Sequence, residues 1–535
     1  MPLISVVGLA FDPVENIWPH LAATVLPGYL ANSLLLMLGV GSLSIIIGVG
    51  TAWLVTMCRF PGRSLFQWAL LLPMAMPAYV VAFVYTDLLE YAGPVQQILR
   101  EIFGWQSAQD YWFPGIRNIG GAICVMSLVL YPYVYLLTRA AFLDQSVSVL
   151  EAGRSLGRSP WRCFTELALP LARPAVVVGT TLVLMETLND FGTVDFFAVR
   201  TLTAGVFHVW LHMQNIGGAA QIATVMLIFV LVLITVERMA RRGRKFHNLR
   251  GSYKPLPGYR LSRIRKLLAT SACATPLTLG FLVPALVLLR YTVRATEITW
   301  SGAIMEAARN SFLLSGLAAA VALVTGLLLA YGLRATRGTL GLKVATRLAS
   351  TGYAVPGAVL AIGVLIPFAA LDNAFDTLMR DTFGVSTGLI LSGTIVAVIF
   401  AYVVRFLAVS LGALEASLEK VSDTMDMAAR SLGHGLGSTL RRVHLPMIRG
   451  SLLTAAILVF VDCIKELPAT LLLRPFNFDT LATQVYQYAS DELIHQAAPA
   501  ALAIVATGVV PVILLSKAIA LSRPGRGGAL LTHRT

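Results

Sequence analysis

The chain has 535 residues, 57% of them hydrophobic and only 13% charged, against roughly 45–50% and about 25% in soluble domains. So much apolar surface needs lipid to face, which excludes an ordinary soluble enzyme of three or four domains. The net charge of +14 would suit a nucleic-acid binder, but the basic residues cluster between apolar runs, as in the cytoplasmic loops of membrane proteins; no nucleic-acid partner is expected.

The opening stretch Leu3 to Ala10 is apolar but has no basic flank and is followed by Asp12 and Glu15, so no cleavable signal is read there. Runs long enough to cross a hydrocarbon core of about 30 Å follow near 31–57, 67–90, 119–142, 174–194, 220–237, 268–291, 310–333, 350–371, 388–413, 452–473 and 498–519, eleven in all. Pro73, Pro77 and Pro356 predict kinks or interruptions in their spans. His208 and His212 have the i, i+4 spacing of a metal pair but no acidic partner between them, and read as surface or interfacial residues. The five cysteines, Cys58, Cys124, Cys163, Cys273 and Cys463, have no paired spacing and read as packing residues, so no metal site is expected.

Orientation follows from segment 238–266, which holds eleven Lys or Arg and should be cytoplasmic. Alternation then places Arg59 and Arg63, the stretch 139–173, Arg334 to Arg347, Arg430 to Arg449 and Arg523 to Arg534 inside. Segment 372–387, with Asp372, Asp376 and Asp381, falls outside. An odd number of spans puts the N-terminus outside; one more N-terminal helix, making twelve, would bring it in.

The chain also repeats itself. Asn32-Ser33, Gly48 and Ala52 align without gaps to Asn310-Ser311, Gly326 and Ala330, and Pro77 follows as Pro356 does. Residues 151–175 superimpose on 427–451 at constant offset: Ala152, Arg154, Ser155, Leu156, Gly157, Leu169, Pro170 and Arg173 recur as Ala428, Arg430, Ser431, Leu432, Gly433, Leu445, Pro446 and Arg449. The period of about 278 residues is that of a duplicated domain and not of a solenoid. The expected organisation is a first transmembrane half at 1–237, a basic linker at 238–266 and a second half at 267–535. Parallel repeats of this kind imply a pseudo-two-fold axis along the membrane normal and a path between the halves.

The repeated segment resembles the EAA loop of binding-protein-dependent ABC importers: Glu-Ala-Ala, three residues, Gly, nine residues, an aliphatic, any residue, then Leu-Pro. The first copy has Glu151, Ala152, Gly153, Gly157, Leu167, Leu169 and Pro170; the second has Met427, Ala428, Ala429, Gly433, Val443, Leu445 and Pro446. Small residues allow close helix approach, the Gly permits a sharp turn between two short helices, and Leu-Pro marks entry to the next span. Gly153 departs from the second Ala and Met427 from the Glu, with Asp426 one residue earlier, so the two contacts are expected to be unequal. The resemblance implies an all-α, polytopic permease of about 11–12 helices in the bacterial inner membrane, built as a duplicated ABC-importer transmembrane domain. It further implies docking of each loop on one of two copies of an ATPase subunit that binds the ATP and Mg, a periplasmic binding protein that delivers the cargo, and no cofactor on this chain.

A narrower resemblance, at 24–33, 185–197 and 465–483, is to ferric-iron importer permeases, with thiamine or polyamine permeases sharing parts of it. The residues of those stretches also speak for themselves. Glu186 and Asp190 are one helical turn apart, as are Asp462 and Glu466 at the equivalent positions of the second half. A carboxylate in hydrocarbon costs about 2.5–3.5 kcal/mol on insertion scales, so these four should face the bundle interior or a water-filled path. Two readings stand: they line a translocation path favourable to a cation, or they pair with Lys465, Arg173 or Arg449, or sit at the interface and hold helices together. No G-x-x-x-x-G-K-[ST] loop, H-E-x-x-H, CxxC or G-x-S-x-G motif occurs, so the chain is not expected to be an enzyme. An ion-coupled secondary transporter, with the carboxylates as proton or sodium sites, is the reading from another class; the paired loops argue against it.

Overall fold

The computed structural model describes residues 2–13, 15–144, 153–242, 258–294, 302–336, 339–419 and 421–521. Among these, ten helices are long and apolar enough to cross a membrane, and an eleventh crossing is made if the bent pair Arg63–Ala75 and Ala78–Phe103 counts as one span. Every expected run has its helix, though the ends move: the run near 174 belongs to a helix that begins at Pro160, and the run near 388 to one that begins at Ile395. A short apolar helix, Pro2–Phe11, precedes them.

The prolines act as the sequence predicts, and they act twice. Leu72–Ala75 is a 3₁₀ turn, Pro77 is extended at φ −63° and ψ 139°, and a new helix starts at Ala78 at 90° to the preceding arm. In the second half Gly352–Ala354 makes the same turn, Pro356 sits at φ −57° and ψ 142°, and the helix starts at Gly357. A proline has no N–H to continue the ladder and a fixed φ suited to restarting it, which is why both breaks fall there.

The chain folds as two compact units, and each draws segments from both halves of the repeat. One comprises Ala23–Ala204, Ile228–Thr296 and Tyr488–Thr535; the other comprises Met1–Ala22, Gly205–Leu227 and Glu297–Gln487. In the former, helices Leu26–Met57, Ile119–Asp144 and Leu169–Asn189 pack together. Gly48 makes that approach possible, because a Cβ there would lie 2.8 Å from Val134 Cβ and 2.9 Å from the Tyr135 nitrogen. The second half contributes Val283–Arg294 and Ile494–Leu521, which pack on one another, the latter also lying against the Leu72–Ala75 turn.

In the other unit Gly302–Ala335, Ile395–Leu418 and Leu445–Ile464 form the matching trio. Gly326 occupies the place of Gly48, a Cβ there meeting Ser410 Oγ at 2.7 Å and the Leu411 nitrogen at 3.3 Å. The first half contributes Pro2–Phe11, packed along Gly357–Phe383, and Gln221, whose amide donates to the Ala10 carbonyl at 3.3 Å and to Asn16 Oδ1 at 3.1 Å. Leu313, Leu317, Val321, Val324 and Leu328 remain exposed along the outer face of their helix, as Leu34, Leu38 and Ile46 do in the first half. That is the surface a lipid solvent permits.

The Asn-Ser repeat has a shared purpose. Asn32 donates to the Arg200 carbonyl at 3.0 Å and Ser33 Oγ accepts from Leu202 N–H at 2.9 Å. Asn310 donates to the Asp479 carbonyl at 3.0 Å and Ser311 Oγ accepts from Leu481 N–H at 2.7 Å. In each unit one long helix thereby satisfies the first turn of a distant short one, a side-chain cap supplied from another element.

Candidate functional site

The two EAA-like segments form elbows of one geometry. In the second copy, helix Asp423–Ser431 ends in a Schellman motif: Gly433 N–H donates to the Arg430 carbonyl at 2.9 Å and His434 N–H to the Ala429 carbonyl at 3.0 Å. In the first copy, Gly157 N–H donates to Arg154 at 3.0 Å and Arg158 N–H to Gly153 at 3.1 Å. Both glycines are left-handed, at φ +77° for Gly157 and +80° for Gly433, which a side chain at either position would disfavour. Glu151 and Ala152 lie outside the described residues. The leucine before each glycine faces out, Leu156 at 80% and Leu432 at 76% exposure, as does Met427 at 61%.

Each Leu-Pro pair lies inside the helix that carries the following span. The helix runs unbroken as Pro160–Asn189 in the first half and Leu436–Ile464 in the second. Leu169-Pro170 and Leu445-Pro446 come just after a π-helical stretch within it, at Cys163–Ala168 and Leu440–His444. Local chemistry accommodates both prolines: a proline without an N–H leaves one carbonyl unpaired, and a widened turn absorbs the misfit without ending the helix.

What lies behind each elbow differs. In the first, the Trp53 ring packs on Phe164 at 4.9 Å, Phe142 at 5.6 Å and Tyr259 at 6.1 Å, and the Arg154 guanidinium sits 5.4 Å over the Tyr259 ring. Tyr259 arrives from the end of the basic linker, where Tyr259–Arg260 pairs in parallel with Cys58–Arg59. Burial pushes its phenol up to about 12, so it stays neutral beneath the arginine. At Gly153 a Cβ would stand 2.6 Å from Leu167 Cδ1, so the family's alanine would need the Leu167 side chain to turn aside.

Polar contacts hold the second elbow. Asp426 pairs with Arg334 at 2.9 Å and lies 2.7 Å from His444 Nε2, while Arg334 also donates to the Val421 carbonyl at 2.9 Å and to that of Leu418. Tyr331 Oη donates to the Leu436 carbonyl at 2.7 Å. Asp426 is thus an internal tether and no substitute for the missing outward glutamate at 427.

The intramembrane carboxylates sit at helix breaks. Asp190 follows the helix Leu169–Asn189 and caps Gly192–Phe196, with Oδ1 accepting from the backbone N–H of Thr193 at 2.9 Å and Val194 at 3.3 Å. Glu466 follows Leu445–Ile464 and caps Pro468–Leu473, its Oε1 accepting from Ala469 N–H at 3.1 Å. Glu466 also pairs with Arg405 at 3.0 Å, the two side chains 5% and 4% exposed. Asp462 pairs with Lys465 at 2.8 Å.

Asp462 thus pairs with Lys465, locally at the end of its own helix, and Glu466 joins two spans, but its partner is Arg405 instead of Lys465, Arg173 or Arg449. Periodicity gave no signal for Arg405, which lies on another span. Its counterpart in the first half is Val129, and among the described residues Asp190 makes no ion pair. Glu186, one turn before Asp190, is half-buried. His208 and His212 stack at 5.1 Å on an exposed surface.

A family model described as "Binding-protein-dependent transport system inner membrane component" matches the chain twice, at residues 44–245 and 322–522. The chain is 29% identical over 493 residues to the Fe(3+)-transport system permease protein FbpB 2 of Haemophilus influenzae, covering 91% of this chain and 89% of that protein. It is 24% identical to the ferric transport system permease protein FbpB of Actinobacillus pleuropneumoniae, over 88% of this chain and 69% of that one. The molybdenum transport system permease protein ModB of Escherichia coli is 28% identical over 225 residues, which cover 40% of this chain and 95% of that protein.

Proposed function

Because the chain belongs to the family of binding-protein-dependent transport system inner membrane components, we propose that it is the permease subunit of an ATP-driven importer and that its cargo is ferric iron. The observation that carries the coupling is the pair of elbows, with the same spacing, the same Schellman turn and the same outward leucine in both copies. Such a lever transmits motion and performs no chemistry. ATP and Mg are bound by two copies of a separate ATPase subunit, one at each elbow, through Glu151 to Pro170 and Met427 to Pro446. This chain carries no cofactor, and a periplasmic binding protein hands the cargo to its outer face.

The cargo reading rests on relatives that run through both halves: the protein named for Fe(3+) transport covers 91% of the chain, whereas the molybdenum permease covers 40%. Along the path, Asp190 and its neighbour Glu186 are the carboxylates proposed to meet the cation. Glu466 and Asp462 are held by Arg405 and Lys465 and contribute less than Asp190, which makes no ion pair among the described residues.

The test is uptake of radioactive ferric iron into cells expressing the chain with its ATPase and binding protein. Import should continue when a protonophore collapses the ion gradient while ATP is maintained, and stop when ATP is depleted. Dependence on the gradient alone would replace this reading with a secondary transporter. Competition by unlabelled thiamine, spermidine or molybdate, but not by ferric iron, would reassign the cargo.

A further inference from the structure

Behind the second elbow lies a hollow of about 310 Å3, lined by the stalk residues Tyr331 and Arg334, the elbow residues Asp426, Arg430 and His434, and His444 on the returning helix. We infer that this hollow is a binding site for a phosphate-class anion, present in the second half only. It goes beyond the transport reading and does not depend on it.

The charge favours an anion. Asp426 is occupied by Arg334 and His444, whereas the Arg430 guanidinium lines the hollow, is exposed, and has no acceptor among the described residues. His434 adds an imidazole whose Nδ1 lies 3.2 Å from Ser438 Oγ. His444 supplies the independent sign of a missing ligand: it is 1% exposed, yet its Nδ1 has no hydrogen-bond partner among the described residues. Buried polar atoms are rarely left so, and a phosphate group offers acceptor oxygens to Arg430 and His434 and a P–OH donor to the Nδ1 lone pair of His444.

The first half explains why the site is single. Positions matching Tyr331, Arg334 and His444 are Trp53, Thr56 and Ala168, and Tyr259 fills the space, drawing Arg154, the counterpart of Arg430, over its own ring at 5.4 Å. A ligand in the open hollow touches the stalk, the elbow helix and the returning helix together, and so ties the second elbow to its span as Tyr259 ties the first.

The experiment is equilibrium dialysis of radiolabelled inorganic phosphate against the purified full-length chain in phosphatidylcholine nanodiscs, at ionic strength held constant with chloride. One saturable site per chain is expected. Arg430→Ala and His434→Ala should each weaken it about tenfold, the loss of one hydrogen bond to a charged group, and Arg430→Lys should recover most of the affinity. Arg154→Ala at the first elbow should leave it unchanged. Adding phosphatidic acid to the discs separates two sources of the same group: if the lipid displaces free phosphate from the wild type and this competition is lost in Arg430→Ala, a lipid headgroup is the occupant; if free phosphate still binds, a soluble one is. Non-saturable binding, or equal binding by the wild type and both alanine variants, overturns the proposal.

Discussion

The buried pair Arg405–Glu466 allows a quantitative test of how the second-half core is held. Both side chains are at most 5% exposed and their contact is 3.0 Å, with Gly357 so close that a Cβ would lie 2.7 Å from Glu466 Oε1 and 2.8 Å from Arg405 Nη1. Neither charge has room to turn toward water. Glu466→Gln keeps the shape and can still accept from Ala469 N–H, so its cost isolates the loss of the ion pair, about 3–5 kcal/mol for a buried pair broken on one side.

Arg405→Met should cost a similar amount by removing the cation beside the carboxylate. The double variant Arg405→Met/Glu466→Gln removes both charges and keeps the cap on Pro468–Leu473, so it should be more stable than either single change. Unfolding in mixed micelles of increasing SDS fraction, followed by tryptophan fluorescence, measures all four corners of the cycle. If the single effects add to the double within about 0.5 kcal/mol, the pair is uncoupled and the reasoning from burial fails.

Replacing Gly157 or Gly433 by Leu forces a β-carbon into a left-handed residue, costing about 1–2 kcal/mol locally; membrane insertion should persist and ATP-coupled uptake should be lost, and normal uptake in both variants would remove the elbows from the mechanism. Gly48→Ala and Gly326→Ala should each destabilise by about 1–3 kcal/mol through overpacking, whereas Gly50→Ala, with no atom within 4 Å of the added carbon, should be silent; the same unfolding assay compares them. Ser33→Ala and Ser311→Ala each leave a buried N–H without its acceptor, at about 1–3 kcal/mol. Hydrogen exchange should then quicken at Leu202 and Leu481 respectively, each variant affecting only its own unit.

Much of this protein is legible in one dimension. Hydrocarbon must be crossed by about 20 apolar residues, so the spans declare themselves, and the proline breaks at Pro77 and Pro356 and the glycine turns at Gly157 and Gly433 follow from backbone sterics alone. The repeat exposes the elbows because the same local geometry is demanded twice. Even the odd Gly153 is visible as a departure, though its close neighbour Leu167 is not.

Tertiary structure decided the rest, and the reason is that lipid-facing helices are nearly uniform in hydropathy. Their pattern says that a segment lies in the membrane and leaves its neighbour unspecified. Hence the sequence halves and the compact units differ, with Pro2–Phe11 packed in the unit built on the second half and Ile494–Leu521 in the unit built on the first. Hence also Glu466 finds Arg405 on a different span, and Tyr259 of the linker fills the back of one elbow while the other stays open. Each of these is a choice among chemically similar helix faces, made by close approach at a glycine or by a buried charge seeking its opposite, and neither spacing nor composition records it.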